Sequence, residues 1–133
     1  MPVKHITINT RSRFEMIDIT EEVRTVLKDS AVKDGICYVF VPHTTAAVTI
    51  NENADPDVPR DILKELDKII PLRDNYRHIE GNSAAHIKAS LVGASETILI
   101  AGGKFVLGTW QSIFFCEFDG PRTRRAFVKI TQC

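Results

Sequence analysis

The sequence predicts a single compact α+β domain with about three helices and a mixed, mostly antiparallel sheet. A chain of 133 residues suits one hydrophobic core. Short apolar segments of strand length alternate along it with three longer segments of helical period. Turn residues such as Gly102–Gly103 separate neighbouring strand segments, which is typical of antiparallel pairs. No repeat or linker divides the chain, so we expect residues 1–133 to form one domain.

The first half of the chain contains three predicted strands and one helix. Lys4–Thr10 alternates apolar and polar residues, which indicates a strand. Asp18 or Thr20 can cap the helix that follows. Acidic residues then fill its first turn, where negative charge favours the helix dipole. Ile36–Val41 is continuously apolar and predicts a strand covered on both faces. Pro42 ends that strand, and residues 46–50 are predicted to form the next one.

The second half contains two predicted helices and four strands. Asp57 begins a helix that Pro71 ends. Ser83 caps a helix over Ala84–Val92, and Gly93 closes it. Alternating or aromatic-rich segments then predict the remaining strands, which are Thr97–Ala101, Phe105–Leu107, Trp110–Phe118 and Ala126–Ile130.

Composition and charge argue against several classes of protein. The 17 basic and 17 acidic residues cancel, whereas a nucleic-acid-binding protein usually has a basic face, so we expect no nucleic-acid partner. No apolar run is long enough to span a bilayer, and no signal peptide is evident, so we expect no membrane association. The three cysteines form no CxxC motif and suggest no disulfide framework. A cytoplasmic location is therefore expected.

Three of the four histidines lie in segments rich in polar residues. His43 would stand at the rim of a small polar strand face, and His78 and His86 flank a Gly-Asn turn that also carries Glu80. Three neutral imidazoles with an open fourth position are a common catalytic zinc arrangement. Our hypothesis is a divalent metal, with zinc as the candidate, held by these histidines with Glu80 as base or supporting group. The alternatives are a strand-end histidine bonded to backbone and a capped helix with solvated histidines.

A turn of opposite charges follows the long aromatic strand. Asp119, Gly120 and Pro121 form the turn, and Arg122 and Arg124 follow with the same strand parity. We expect both guanidinium groups to point the same way, beyond the sheet edge, where they would bind phosphate or carboxylate bidentately. The alternative is a structural ion pair between Asp119 and an arginine that fixes the turn.

Four motifs, in this order, resemble those of the secondary thiamine-phosphate synthase family (YjbQ-like). The resemblance covers nearly the whole chain. Each motif alone is only modestly specific for the family, but the four motifs in this order are a specific match. They are His43–Ala47, His78–Asn82 with Ala85–His86, Leu107–Gln111, and Glu117–Arg122.

The resemblance implies a small α+β protein that assembles as a homotrimer. Its polar site, which takes a metal or an anion, would lie between subunits and include the three histidines. The implied activity is a weak thiamine-phosphate synthesis that joins hydroxymethylpyrimidine diphosphate to a thiazole phosphate. On this interpretation the catalytic candidates are Glu80 and Asp119, and the candidates for binding the phosphorylated ligand are Thr45, Asn82, Gln111, Arg122 and Arg124.

Three functions remain open from the sequence. The first is a metal-dependent enzyme acting on a phosphorylated small molecule. The second is a non-catalytic module that binds a metal or an anionic metabolite in the same pocket. The third is a structural protein whose polar motifs fix turns and interfaces. Polar motifs from four distant segments favour a pocket, but binding and catalysis use similar groups, so the first two are not separated.

Overall fold

The computed structural model describes residues 1–133 and contains eight strands and three helices. The strands and helices alternate irregularly along the chain, as an α+β protein requires. In chain order they are β1 (Lys4–Asn9), β2 (Glu15–Asp18), α1 (Thr20–Ser30), β3 (Gly35–Phe40), β4 (Ala46–Glu52), α2 (Asp57–Ile69), α3 (Ser83–Val92), β5 (Ser95–Ala101), β6 (Lys104–Phe105), β7 (Gln111–Glu117) and β8 (Thr123–Gln132).

The strands form two antiparallel sheets. The larger sheet has the order β1-β8-β3-β5-β6, and the smaller has the order β2-β7-β4. All neighbouring strands are antiparallel. The predicted fold class is confirmed, and the sheet of the prediction resolves into two. β2 was not predicted, because its four residues carry too short a pattern to register as a strand.

The main core lies between the two sheets. Val39 and Val128 of the larger sheet meet Val48 and Phe115 of the smaller sheet in one buried cluster. Helix α1 adds Val23 and further apolar side chains to the same cluster. The alternation of strands β3 and β8 therefore directs one face of each strand into this core.

A second, smaller core lies on the other face of the smaller sheet. Phe114 and Cys116 of β7 pack there against Ala85 and Ala89 of α3, with Leu66 of α2 at the margin. β7 is consequently buried on both faces, which explains its continuous apolar sequence. None of the three helices is long and apolar enough to cross a membrane.

The prediction that β3 is covered on both faces is wrong for the single chain. Tyr38 and Phe40 are 42% and 47% exposed, and Leu99 of the neighbouring strand β5 is 58% exposed. The three helices lie elsewhere, so nothing in the chain covers the outer face of the larger sheet. The continuous apolar run correctly indicated a strand with two apolar faces. Only the inner face packs against other residues of the same chain.

Candidate functional site

Two histidines lie in contact beside the start of α3. The rings of His78 and His86 are edge to face, with centres 5.4 Å apart and an interplanar angle of 81°. His86 belongs to the first turns of α3, and His78 precedes it in a loop that bends at Gly81, where φ is +81°. Nε2 of His78 lies 3.8 Å from Oε1 of Glu80. The turn predicted from the sequence thus brings His78, His86 and Glu80 together.

His43 lies in the loop between β3 and β4, and its Nε2 is engaged. The backbone N–H of Arg125 donates to Nε2 over 3.0 Å. A neutral ring that accepts at Nε2 carries its proton on Nδ1. Partial burial lowers the pKa of His43 below its ordinary value, and the positive charge of Arg124 lowers it further. His43 is therefore a neutral imidazole near pH 7.

His43 and His86 line one open cleft. The cleft has a volume of about 500 Å³, and its walls include Ala46 of β4 and Ala89 of α3. Small side chains at these positions let the helix lie close to the strand and leave room between the two histidines. Within one chain, no three His, Cys, Asp or Glu side chains come together as a metal-binding group. The predicted three-histidine set is therefore represented here by one contacting pair and a third ring on the shared cleft.

A fully buried ion pair supports the floor of this region. Nε of Arg124 donates to Oε1 of Glu117 over 2.8 Å, and Nη2 donates to Oε2. Nη2 also donates to Oγ1 of Thr45 over 2.8 Å. Burial by itself would raise the pKa of Glu117, but the hydrogen bonds from Arg124, the Asp119 amide and Thr10 together lower it. Glu117 is thus ionised and paired.

The position of Arg124 differs from the prediction. Its side chain is 3% exposed and turns inward, rather than beyond the sheet edge. The reason is that β8 continues its inward-facing parity through Arg124, and Glu117 on the preceding strand supplies a buried counter-charge. Thr45 is also buried, and its Oγ1 accepts a hydrogen bond from Arg124.

Asp119 orders the turn between β7 and β8. Nη2 of Arg122 donates to its Oδ2 over 3.0 Å, and Nδ2 of Asn82 donates to the same oxygen over 2.9 Å. Nη1 of Arg13 lies 3.9 Å from Oδ1. The structure therefore contains the ion pair between Asp119 and Arg122 that was the alternative interpretation. Oδ1 of Asn82 is buried and has no hydrogen-bond partner.

Gln111 lies away from the other predicted site residues. It begins β7, whereas Glu117 ends that strand, and seven extended residues span roughly 20 Å. Its Oε1 accepts the backbone N–H of Gly108 over 2.8 Å, which closes the loop before the strand. One chain therefore does not bring Gln111 to the histidines.

Sequence reasoning missed Glu117 as the centre of the buried network, and with it Thr10. Oγ1 of Thr10 donates to Oε1 of Glu117 over 2.8 Å and accepts the N–H of Arg122. A signal was available, because Glu117 continues an otherwise apolar buried strand and a buried carboxylate needs a paired cation. Arg124, on the following strand, was a suitable partner.

Comparison with known families accounts for almost the whole chain. Residues 4–133 match the family described as UPF0047 protein YjbQ-like. The chain belongs to the YjbQ/UPF0047 family. The predicted resemblance is confirmed to that extent, and the relatives described below have family designations without a thiamine-phosphate synthase name.

Relatives of this family in distant organisms align over most of their length. UPF0047 protein MJ1081 of Methanocaldococcus jannaschii is 58% identical over 123 residues, which are 92% of this chain and 89% of the relative. UPF0047 protein YugU of Bacillus subtilis is 50% identical over 129 residues, which are 96% of this chain and 98% of the relative.

Solved structures of the family share the fold. An uncharacterized conserved protein of the YjbQ/UPF0047 family from Clostridium acetobutylicum superposes with a TM-score of 0.95 at 56% identity, covering 96% of this chain and 99% of that one. A YbjQ-like protein of unknown function from Sulfolobus solfataricus P2 superposes with a TM-score of 0.95 at 36% identity, covering 99% and 97%. The architecture of two sheets and three helices is thus that of the YjbQ/UPF0047 family.

In this family member the site offers three kinds of chemical group. His43 is a neutral imidazole, and His78 and His86 are a contacting pair of which His86 lines the same cleft as His43. Glu80 is an exposed carboxylate next to the pair. Arg122 and Arg13 are half-exposed cations beside Asp119. Such a set can bind an anion, hold a cation, or transfer a proton.

Proposed function

We propose that the protein binds a divalent metal at His78 and His86 and acts on a phosphorylated small molecule in the adjacent cleft. The observation that carries the proposal is the contact between these two rings, made by residues eight positions apart across a tight turn. A turn alone does not require two imidazoles edge to face. The ring nitrogens of both histidines make no hydrogen bond within the chain, and Oε1 of Glu80 lies 3.8 Å from Nε2 of His78.

The spacing of the two rings fits one metal ion. Two imidazoles that bind a tetrahedral zinc through nitrogens at about 2.0–2.1 Å have ring centres roughly 5 Å apart. The observed separation is 5.4 Å. Glu80, whose Oε1 lies 3.8 Å from Nε2 of His78, is proposed as a base or supporting group. His43 lies across the shared cleft, and because its Nε2 accepts the Arg125 N–H and its Nδ1 carries the proton, it is proposed to donate a hydrogen bond to the substrate rather than to bind the metal. Zinc is the proposed metal because histidine nitrogen is among its usual ligands.

A bound divalent metal would supply positive charge next to the phosphate groups of the substrate. Arg122, which is half exposed, is the side chain proposed to contact the phosphate directly. Arg124 would act from beneath the cleft through its charge, since its Nε and Nη2 are already bonded. Asn82 has a buried, unpartnered Oδ1 and is proposed to contact the ligand through a small rotation. Asp119 is proposed to orient Asn82 and Arg122.

A homotrimer would complete this site. The third metal ligand and Gln111 are not gathered by one chain, and the exposed aromatic face of the larger sheet has no internal cover. Closed symmetric assembly buries such faces and brings residues of two copies together. We therefore propose that Gln111 reaches the histidine site of a neighbouring copy.

The proposed reaction is the one that the resemblance implies. The carbon–oxygen bond between the pyrimidine methylene group and diphosphate breaks, and the thiazole nitrogen forms a bond to that carbon. Diphosphate leaves with the electron pair of the broken bond, so positive groups beside it lower the barrier. Thiamine-phosphate synthesis is proposed here as a weak activity in the cytoplasm.

A second candidate is a binding module without turnover. The hydrogen bonds of the polar side chains favour it, because Glu117, Arg124 and Asp119 all form theirs with other groups of the same chain. Groups fixed in this way hold a pocket in shape whether or not a reaction takes place in it.

The test measures metal content and turnover in matched variants. We expect the purified protein to contain close to one zinc per chain after dialysis against zinc. His78→Ala and His86→Ala should lower its zinc affinity at least about tenfold. His43→Ala, whose Nε2 already accepts the Arg125 N–H, and His5→Ala, on strand β1 and outside the histidine cleft, should not lower it. Each variant is checked for folding by circular dichroism.

The result then separates the two candidates. Diphosphate release from hydroxymethylpyrimidine diphosphate and thiazole phosphate, present in the zinc-loaded protein and lost in His86→Ala, supports the enzyme. Zinc binding without any release supports the binding module. Absence of zinc binding in the wild-type protein rejects the metal site.

A further inference from the structure

A second cleft lies at the opposite end of the larger sheet from the histidines. It has a volume of about 560 Å³ and is formed by the end of α1, the loop after it, and the β5–β6 turn. That loop leads into Gly35, the first residue of β3, whereas His43 follows the last. The six residues of β3 span roughly 17 Å, so the two clefts are separate places.

Four basic side chains line this cleft and no acidic one does. They are Arg24, Lys28, Lys33 and Lys104. The whole chain has equal numbers of acidic and basic residues, so an acid-free group of four cations is a local departure from its average. Such a cleft concentrates anions by electrostatic focusing.

Three of these cations have no partner inside the chain. None of the seven salt bridges involves Lys28, Lys33 or Lys104, and their ammonium groups make no hydrogen bond. Only Arg24 is paired, with Glu21 on the exposed side of its own helix. An ordinary solvated surface would intersperse carboxylates among these groups.

The β5–β6 turn holds Lys33 across the cleft. The N–H of Gly103 donates to the carbonyl oxygen of Lys33 over 2.9 Å. Cδ and Nζ of the lysine side chain lie 3.2 and 3.3 Å from the place where a Cβ of Gly103 would stand. The absence of a side chain at Gly103, whose φ is +75°, therefore lets Lys33 lie flat over the turn with its ammonium group at the cleft.

The remaining wall of the cleft is apolar. Leu27 and Val32 form its base, and Phe105 of β6 is a partly exposed aromatic wall. Cations around an apolar wall match a ligand with charge at one end and an apolar or planar body at the other.

We propose that this cleft binds a phosphorylated small molecule with an aromatic body, of the nucleoside di- or triphosphate class. The phosphates lie among Lys28, Lys33 and Lys104, and the planar body packs on Phe105. A small ligand is favoured over a nucleic acid because the cations line a single cleft, and the chain has no net positive charge to hold a phosphate backbone.

The probe is ATP without added metal, titrated calorimetrically at low salt. The double variant Lys33→Gln/Lys104→Gln should bind ATP at least about tenfold more weakly than wild type, as expected on losing two charge-assisted contacts. The matched control is Lys64→Gln/Lys68→Gln, which removes the same charge from the exposed face of α2 and should change the affinity less than about twofold.

Three results would overturn the inference. The first is equal ATP affinity in wild type and the Lys33/Lys104 double variant. The second is inorganic pyrophosphate binding as tightly as ATP, which removes the role of Phe105 and the planar body. The third is a single-stranded oligonucleotide that displaces ATP and loses more affinity than ATP in the double variant, which would indicate a nucleic-acid surface.

Discussion

At the scale of single residues, the Glu117–Arg124 pair is the most constrained feature of the candidate site. Both side chains are almost completely buried, and the carboxylate accepts hydrogen bonds from Arg124, from Thr10 and from the amide of Asp119. Buried charges of this kind gain little over apolar residues of the same shape, but breaking the pair leaves one charge without a partner. The pair therefore fixes the position of the turn that follows.

Replacing Arg124 by glutamine should lower the free energy of unfolding by about 3–5 kcal/mol at pH 7. The loss should shrink toward pH 3. The pKa of Glu117 is lowered in the folded protein, so its stabilising effect is present above the ordinary value of 4.5 and is lost as the pH falls through the folded value. Urea unfolding at both pH values measures this.

The neighbouring residue provides the control for this substitution. Arg125→Gln on the exposed face of the same strand should cost less than about 1 kcal/mol. Equal losses in the two variants, or a loss in Arg124→Gln that does not depend on pH, would contradict the structural role.

At the scale of elements, two contacts hold the site-bearing segments in place. Helix α3 is tied to α2 and to the loop after β1 through Lys88, whose Nζ lies 3.8 Å from the ring centre of Phe14 and 3.4 Å from Oδ1 of Asp67. The β7–β8 turn packs on the same loop, and the N–H of Gly120 donates to the carbonyl oxygen of Arg13. His86 on α3 and Asp119 on the turn are therefore positioned by packing against one loop.

Substituting Gly120 by alanine should lower the free energy of unfolding by about 3 kcal/mol or more. A Cβ at this position would lie 2.4 Å from the backbone oxygen of Ser12, so the turn and the loop would have to separate. The matched control is Gly81→Ala, where nothing lies within 4 Å and only the positive φ costs about 1 kcal/mol. Thermal or urea unfolding that gives equal losses for both would contradict the packing argument.

At the scale of the whole molecule, the layers are unequally covered. The smaller sheet lies between the larger sheet and helices α2 and α3, whereas the outer face of the larger sheet is open. Tyr38, Phe40 and Leu99 form an exposed apolar patch on that face. Exposed apolar patches built from neighbouring strands commonly mark protein interfaces.

The proposed trimer predicts a specific result for this patch. Wild-type protein should sediment at micromolar concentration with three times the chain mass, and Phe40→Glu should shift it toward the monomer, because a charge would be buried at the interface. Ile69→Glu on α2, where the side chain is 59% exposed, should leave the assembly intact. A wild-type monomer would remove both the trimer and the contribution of Gln111 from a second copy.

The sequence by itself determined the three helices, most of the strands and part of the site. Local signals, such as the alternation in β1, the Pro71 stop after α2 and the Gly81 turn, depend on neighbours in the chain, and they identified every helix and the joining of His78 to His86. The division into two sheets, the inward turn of Arg124 and the separation of Gln111 depend on which strands pair and which faces meet. Those are contacts between residues far apart in the chain, and only the tertiary structure decides them because periodicity describes a face but not its partner.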